Sequence, residues 1–390
     1  MEIKPVSIVT IKNKIPLFKG DDEANSIELI ELEENGFQVV SQKDLYKVGD
    51  KAVYIQPDYC VPDTPLFESF IRPNGDAKKC KLGSNNRIRA IKFNSHKGDG
   101  LPTYSQGILL PYEEVAEFIN CTLISVAKIE DLTSELGITK YVEPEDTTYQ
   151  GGVKGGRSQQ FPEGMYKTDE TNINNLWSHI KFPIRLIGRE KVDGSSITLY
   201  YKDGKAGIAS RNLDKPLTYK QIIGKRKPTF VEKIKLLFNF KVDLFEYEEV
   251  ESDSDFVKYG KPYLDELVDY CKWKNVNIAL RGELNGGSLK GSGNKNNPAR
   301  KDTPHIKFFG ADIYDFTTIR LPENEFMNIC NECSLIPCKF VFDKTFNSRQ
   351  ELEDVCNTYF QDNLIEGIVV RTYDHNFSAK FMNLSYDAIK

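Results

Sequence analysis

The N-terminal part of the chain alternates short apolar, β-branched segments with polar turns, a pattern typical of β-strands. Asn35-Gly36, a dipeptide that suits a two-residue hairpin turn, separates two of these segments. Short strands joined by turns, with little helix, favour a small β-barrel. Strands are predicted at residues 6–11, 28–34, 37–41, 52–55, 87–93 and 107–110.

Helical spacing first appears after these strands. It predicts helices at residues 113–119 and 129–136, the second closed by Gly137 as a left-handed cap. Residues 151–158 are rich in glycine but lack the Lys-Ser/Thr ending of a P-loop. We therefore interpret them as a linker or mobile loop rather than a phosphate cradle.

The C-terminal part mixes helices with antiparallel strands. Thr168 is expected to cap a helix at residues 169–177, and Ser348 with Glu351 forms a capping box before a further helix. Strands are predicted at residues 184–190, 197–201, 207–210, 306–314, 367–371 and 379–382.

The length suits two or three domains of about 150 residues each. We predict an α+β chain with a barrel domain at residues 1–120, a helical or flexible connector at 121–160 and an antiparallel-sheet domain at 161–390. Apolar residues make up 39% of the chain, with 23 Phe and 19 Tyr, which excludes bulk disorder.

Charge and cysteine content narrow the class of protein. The 52 Lys and Arg against 57 Asp and Glu exclude a uniformly basic nucleic-acid-coating protein, but allow a local basic groove. No apolar run reaches the roughly 20 residues of a membrane span, and the N-terminus lacks the apolar block of a signal peptide. Eight Cys without such a signal predict reduced thiols in the cytoplasm or another reducing intracellular compartment. A monomer that does not bind membranes is expected.

One segment separates its charges into a basic block and an acidic block. One interpretation is two solvated faces that attract each other, and the alternative is a basic element that contacts phosphates. The basic residues are Lys220, Lys225, Arg226, Lys227, Lys233, Lys235 and Lys241, and the acidic residues are Asp243, Glu246, Glu248, Glu249, Glu251, Asp253 and Asp255.

Candidate catalytic residues stand at strand ends in an ordered series. Lys191-Val192-Asp193-Gly194 connects two predicted strands, although so short a motif alone often occurs by chance. The later segments are Ser210-Arg211-Asn212, Arg281-Gly282-Glu283-Leu284, residues 308–315, residues 365–370 and residues 378–383. Six motifs in this order resemble the nucleotidyl-transferase motifs of the covalent ligase and capping-enzyme superfamily.

The N-terminal part narrows this resemblance. Residues 36–40, 48–50 and 106–111 resemble the OB domain that precedes the catalytic domain in the fifth RNA ligase family, and residues 136–141 and 167–170 resemble its connecting region. DNA ligases place their OB domain after the last motif. Only seven residues follow Asn383, so no such domain is expected here. The resemblance implies an N-terminal OB-like barrel followed by a ligase-type nucleotidyl-transferase domain.

The same resemblance implies an ATP-dependent RNA ligase. Lys191 would attack the α-phosphate of ATP and keep AMP, pass the AMP to a 5′-phosphate, and let a 3′-hydroxyl displace it. Only an unprotonated amine is a nucleophile, and a free Lys has a pKa of about 10.4. The implied site therefore needs cations that lower this pKa, for which Lys380 and a bound Mg²⁺ or Mn²⁺ are the candidates.

Further roles are carried over residue by residue. The resemblance implies that Asp193, Glu283 and Glu366 bind the metal or its waters. It also implies that Glu190, Arg211 and Glu283 contact ATP or AMP, together with Lys191, Phe309 and Lys380. Simpler interpretations stay open for these residues. In them, Glu283 and Glu366 are ordinary charges at strand ends and Asp193 only shapes the turn. Arg211 then forms a structural salt bridge, and Lys380 lies on the surface.

Two positions depart from the family pattern. Related enzymes place an aromatic residue that stacks on adenine where this chain has Ala311. Phe309, two residues earlier and expected on the same strand face, is either its substitute or a plain core residue. Several RNA ligases have Lys-x-Lys in the last motif, and here the first of these positions is Ser378.

The expected substrate is RNA, as a nicked duplex or broken ends, including an RNA:DNA hybrid, with the OB domain on the duplex backbone. The alternatives are a DNA ligase, an mRNA capping guanylyltransferase, or a catalytically inactive nucleic-acid-binding homologue. Residues 286–297 form a glycine-rich basic loop that is expected to face the substrate. Cys330 and Cys333 fit one helical face, so we predict buried thiols rather than a zinc site.

Overall fold

The computed structural model describes residues 4–126, 131–142, 159–165, 167, 169–238, 240–287, 289, 296–315 and 319–387. The chain forms an N-terminal barrel and a C-terminal domain built on two antiparallel sheets. Its helices, within these residues, are α1 Glu68–Ile71, α2 Tyr112–Phe118, α3 Leu123–Val126, α4 Phe230–Leu237, α5 Asp255–Lys274, α6 Glu323–Glu332, α7 Arg349–Asp362 and α8 Leu384–Asp387.

The N-terminal domain is a five-stranded sheet curled into a barrel, in the strand order β3-β2-β1-β4-β8. Hydrogen bonds from the Val40 N–H to Ser105 Oγ and from the Gln106 N–H to the Gln38 oxygen bring β3 beside the segment that leads into β8. The strands are β1 Val6–Lys19, β2 Asp22–Leu32, β3 Gln38–Gln42, β4 Lys51–Ile55, β5 Tyr59–Cys60, β6 Ile91–Phe93, β7 Thr103–Ser105, β8 Ile108–Pro111 and β9 Thr139–Lys140.

The predicted hairpin exists, but its turn is longer than two residues. The strands β2 and β3 pair as far as Glu31 and Gln38, so a loop rather than a tight turn joins them. The Gly36 N–H donates to the Asn174 oxygen of the C-terminal domain at 2.8 Å. A Cβ at Gly36 would clash with the indole of Trp177. This glycine therefore serves the close contact between the two domains, which the sequence pattern did not predict.

The C-terminal domain has a seven-stranded sheet in the order β10-β14-β13-β12-β17-β18-β19 and a four-stranded sheet in the order β20-β11-β21-β22. The predicted α+β class is confirmed. The strands are β10 Gln159–Gln160, β11 Ile184–Lys191, β12 Ser195–Lys202, β13 Lys205–Ser210, β14 Leu213–Lys215, β15 Thr218–Lys225, β16 Phe245–Glu251, β17 Ile278–Asn285, β18 His305–Ile313, β19 Ile319–Arg320, β20 Phe340–Phe346, β21 Gly367–Arg371 and β22 Ser378–Met382.

Helices cover one face of each sheet. The buried residues of α5 recur at helical spacing and pack on β12 and β13, where Gly260 lies against Ile197 and Ile208. Cys330 and Cys333 are buried in the same core, as their helical spacing predicts. In the described part of the chain, no helix is long and apolar enough to cross a membrane.

Three predicted local features differ or fall outside the described residues. Residues 173–179 form two 3₁₀ turns instead of a helix, and the Asn172 side chain caps the first of them; Thr168 is not among the described residues. Residues 131–137 form turns instead of a helix. Residues 127–130 and the glycine-rich residues 151–158 also lie outside the described chain.

Candidate active site

The candidate nucleophile ends the strand β11. Lys191 pairs across the four-stranded sheet with Gly367, the first residue of β21. The chain then turns through Asp193 and Gly194 before β12 begins. A Cβ at Gly194 would clash with the backbone oxygen of Leu284, so only glycine lets this turn pass so close to β17. The Lys-x-Asp-Gly spacing thus places an amine where strands of the two sheets meet.

Two carboxylates face the Lys191 ammonium. Glu366 directly precedes β21, and its Oε2 accepts a hydrogen bond from Lys191 Nζ at 2.5 Å. Glu283 lies on β17 opposite Ser196, and its negative charge acts on Lys191. A Cβ at Gly367 would clash with the backbone of β22, which explains why glycine follows Glu366.

Asp193 takes part in both the turn and the charge cluster. Its carbonyl oxygen accepts a hydrogen bond from Asn297 Nδ2 at 2.7 Å, and its Oδ2 accepts one from the Tyr386 hydroxyl at 2.7 Å. Its carboxylate also raises the pKa of Lys191. Asn297 ends the predicted glycine-rich loop, of which residues 288 and 290–295 lie outside the described chain.

A second ammonium shares the cluster. Lys380 lies on β22, and its backbone N–H donates to the Thr171 oxygen at 2.8 Å. Burial lowers the pKa of Lys380 and the nearby Lys191 ammonium lowers it further, against the opposing effect of carboxylates such as Asp58. The structure therefore brings together five of the predicted site residues, namely Lys191, Asp193, Glu283, Glu366 and Lys380.

The carboxylates keep Lys191 protonated in the protein by itself. Burial lowers the pKa of Lys191, but the charges of Glu366 and Glu283 outweigh burial, so this pKa lies above its ordinary value. Burial also raises the pKa of Glu283 to about 8, and it raises that of Glu366. Because desolvated carboxylates lack compensating positive charge, the cluster favours an added cation.

The donor chemistry fits a divalent metal. Carboxylate oxygens are the ligands that Mg²⁺ and Mn²⁺ prefer. Among the residues that the structure describes, no three Asp, Glu, His or Cys side chains form a ready-made cage. Mg²⁺ usually keeps several waters and binds through one or two carboxylates, so a cage of protein atoms is not required.

Arg211 and Glu190 take different positions. Arg211 follows β13, and its Nη2 lies 2.6 Å from Asp169 Oδ2, a carboxylate that Lys140 also contacts. Its positive charge lowers the pKa of Glu283, so it lies within electrostatic reach of the cluster. Glu190 instead accepts hydrogen bonds from the Tyr359 hydroxyl at 2.7 Å and from Lys339. The structure therefore does not bring the Glu190 side chain to the cluster.

A bulge changes the direction of the side chains around Phe309. Pairing of β17 with β18 shifts register between Phe308 and Gly310. As a result, Phe308 and Ala311 both lie in the core beneath α5 and α6, whereas Phe309 is half-buried under the Arg371 guanidinium, 5.6 Å from its ring centroid. The expectation that Phe309 and Ala311 share a strand face was wrong, because it assumed unbroken alternation.

A buried ion-pair network lies beside Phe309 and supports this part of the site. The motifs did not predict it. Arg371 donates to Glu170 Oε1 at 2.6 Å and to the Phe309 carbonyl oxygen at 2.8 Å. Glu170 also accepts a hydrogen bond from Ser378 and lies 3.5 Å from Arg320. Burial opposes ionisation of Glu170, but Arg371 and Arg320 lower its pKa to about 2. Ser378, the first residue of the last motif, thus belongs to the same hydrogen-bonded network as Arg371.

The barrel domain also reaches the cluster. Asp58 follows β4 and lies 2.6 Å from Arg87. Burial opposes ionisation of Asp58, but Arg87, Lys380 and Lys191 lower its pKa, so its carboxylate lies within electrostatic reach of both lysine ammonium groups. Neither Asp58 nor Arg87 lies in a recognised motif, and only the docking of the two domains reveals them.

Comparison with known proteins identifies the family. A model described as RNA ligase matches residues 184–382, which include all the predicted site residues. The chain belongs to the RNA ligase family. A model of an OB-fold domain matches residues 8–112 of the ligase. A search of curated protein sequences found no match.

Solved structures share the whole fold of the ligase. The Naegleria gruberi RNA ligase with PPi has a TM-score of 0.67 at 20% identity, and the match covers 99% of this chain and 98% of that one. A variant of the same enzyme with AMP and Mn has a TM-score of 0.68 at 21% identity, with 98% of each chain covered. At this identity, the likeness establishes the arrangement of an OB domain before a ligase domain.

The Arg371 network yields a stability prediction. Arg371→Met should destabilise the ligase by about 3–5 kcal/mol, because it leaves Glu170 buried with part of its compensating charge removed. Glu170→Gln should reduce that cost in the double variant, since no buried charge then remains unpaired. Urea unfolding of the four proteins of this cycle measures both effects.

Arg185→Met is the matched control. Arg185 forms a bidentate ion pair with Asp343, in which both N···O distances are 2.8 Å, but the Arg185 side chain is 63% exposed. Solvent screens such a pair, so its removal should change the free energy of unfolding little. Equal destabilisation by the two substitutions would contradict a supporting role for the buried network.

Proposed function

We propose that the ligase seals breaks between a 3′-hydroxyl and a 5′-phosphate in RNA, with ATP, through a lysyl-AMP intermediate at Lys191. The observation that carries this proposal is the Lys191 ammonium held at 2.5 Å by Glu366, beside Glu283 and Lys380, inside the segment that matches the RNA ligase family. A lysine at a strand end would otherwise point into solvent, and here its side chain is only 25% exposed.

The first step requires loss of a proton from Lys191. Its Nζ then forms a bond to the α-phosphorus of ATP as the bond to the β-phosphate oxygen breaks and pyrophosphate leaves. The carboxylates of Glu366 and Glu283 oppose this proton loss, since they raise the pKa of Lys191. Any cation that neutralises these carboxylates favours the free amine.

A divalent metal is the cation that these residues fit. Asp193, Glu283 and Glu366 would hold it, directly or through water, and when bound it neutralises charge on the phosphates during transfer. Structures of the Naegleria gruberi enzyme contain AMP with Mn or ATP with Mn. These comparisons support ATP and a divalent metal, Mg²⁺ or Mn²⁺, for this ligase.

The remaining residues position the phosphates and the nucleobase. Lys380 and Arg211 supply positive charge to the phosphates, and Arg211 can exchange its pair with Asp169 for a phosphate because it lies half-exposed. Phe309, backed by Arg371, offers a ring for stacking on adenine. The Glu190 carboxylate accepts a hydrogen bond from Tyr359, so its role is to steady the end of β11 beside Lys191.

The order of the domains supports the fifth RNA ligase family and a role for the barrel in holding duplex backbone. The barrel contacts the catalytic domain through Gly36 and places Asp58 near Lys380. A nick in an RNA or RNA:DNA duplex is the substrate that such paired domains fit. All eight cysteines are unpaired, which supports a reducing intracellular compartment such as the cytoplasm.

Lys191→Ala and Lys191→Arg should abolish the covalent AMP adduct. An Arg guanidinium stays protonated and cannot act as the nucleophile, and Ala has no amine. Intact mass spectrometry after incubation with ATP and Mg²⁺ measures the adduct. Lys344→Ala, on the exposed strand β20, should retain it. Persistence of the adduct in Lys191→Ala would overturn the assignment.

Glu283→Gln and Glu366→Gln should each slow sealing by roughly 10²-fold or more, because positioned charge supplies much of the rate. The surface variant Glu353→Gln serves as the control. Burial raises the pKa of Glu283 to about 8, so protons compete with the metal at neutral pH. The Mg²⁺ concentration for half-maximal sealing should therefore fall as pH rises toward 8. Wild-type sealing by both site variants across a Mg²⁺ titration would exclude the metal role.

Sealing should require RNA on the 3′-hydroxyl side of a nick. A 2′-hydroxyl is what distinguishes RNA from DNA at that position. The assay compares four nicked duplexes with ribose or deoxyribose on each side of the break, at low and high salt. Phosphate contacts should make sealing weaken with salt, because each contact releases counterions. Equal sealing of the all-DNA nick would favour a DNA ligase instead.

A further inference from the structure

A protruding arm of the catalytic domain has no core of its own. We define the arm as residues 218–251, which comprise β15, α4 and β16. The two strands pair only with each other, and none of the described residues of the arm is buried. An isolated two-stranded hairpin is at best marginally stable in water. The arm therefore needs a surface to pack against.

The arm carries a concentrated apolar surface. Of the 24 exposed large hydrophobic residues in the described chain, ten lie within residues 222–245. Phe230 is 78% exposed, Leu237 80% and Phe238 73%, and helical spacing places these three on the same side of α4. The ten residues are Ile222, Ile223, Phe230, Val231, Ile234, Leu236, Leu237, Phe238, Phe240 and Phe245.

The size of this surface matches a protein interface. The exposed parts of the five side chains on one side of α4 amount to roughly 700 Å², compared with about 800 Å² per partner in a standard interface. These five are Phe230, Val231, Ile234, Leu237 and Phe238. Exposed apolar patches on soluble proteins are usually smaller than this, and larger ones mark sites of association. The patch is thus large enough for stable association with another protein.

The charges of the arm favour a second copy of the chain. The arm contains seven Lys and Arg and six Asp and Glu, so it is nearly neutral overall. Its charges are segregated, since the basic residues lie on β15, α4 and the segments that flank α4, and most of the acidic residues follow on β16. The acidic strand would repel RNA or an anionic membrane. Within each arm, β15 pairs with β16 and places Lys220 opposite Glu249. A two-fold axis instead lets Lys233 and Lys235 on α4 of one arm face Glu248 of the other.

We propose that the arm is a dimerisation surface, in which the apolar faces of two α4 helices pack together about a two-fold axis. Charge pairing between Lys233 or Lys235 of one arm and Glu248 or Glu249 of the other flanks this contact. The dimer gives each arm the core that it lacks within a single chain. The proposal differs from the monomer expected from the sequence, and the experiments below decide between the two.

Sedimentation velocity of the full chain over a concentration series tests the proposal. The wild type should sediment with twice the mass of one chain at micromolar concentration. Leu237→Asp should raise the dissociation constant by roughly tenfold or more, because it places a charge in the apolar contact. Leu101→Asp, at a barrel-domain residue that is 60% exposed, is the matched control and should leave the dimer intact. A wild-type monomer at every concentration, or a dimer that Leu237→Asp leaves unchanged, overturns the proposal.

Charge reversal provides a second test that spares the apolar contact. Lys233→Glu with Lys235→Glu, and separately Glu248→Lys with Glu249→Lys, should each weaken the dimer, since like charges then face each other. An equal mixture of the two variants should recover association as a heterodimer. If the mixture stays monomeric, the second-copy assignment fails. A monomer whose arm instead binds duplex RNA or vesicles of anionic lipid in pull-down also overturns it.

Discussion

The candidate site depends on one arrangement of charge, a lysine ammonium held among desolvated carboxylates. Lys191 contacts Glu366 and lies within the electrostatic reach of Glu283 and Asp193. Burial of these groups is unfavourable unless their charges are balanced. The surrounding chain therefore holds together charged groups that would separate in water. The negative charge of the carboxylates that stays uncompensated favours binding of a cation.

Backbone proximity makes this arrangement possible. A Cβ at Gly194 would clash with β17 and a Cβ at Gly367 would clash with β22, so glycine at both positions lets the backbone pass closely beside the cluster. Behind the cluster, Glu170 and Arg371 join the segment that precedes β11 to β18, β21 and β22. This network holds the last motif in place although Ser378 replaces the usual lysine.

The barrel domain contributes a charged residue to the site of the other domain. The fit of Gly36 against Trp177 fixes one contact between the domains, and Asp58 adds a carboxylate near Lys380. The pKa values of the catalytic ammonium groups thus depend on how the barrel is docked. A change in this docking would alter the charge around Lys191 without any change in the catalytic domain.

The sequence by itself determined the family, the class of fold and the cluster of Lys191, Asp193, Glu283, Glu366 and Lys380. These follow from an ordered series of strand-end motifs that resembles a known family, whereas the pairing of strands in the two sheets is what brings the side chains together. Tertiary structure alone decided the direction of Phe309, because a bulge in β18 breaks the alternation. It also decided the partners of Glu170 and the approach of Asp58, since these contacts join residues far apart in the chain. Such contacts depend on how sheets and domains pack against each other. A local pattern of residues does not determine that packing.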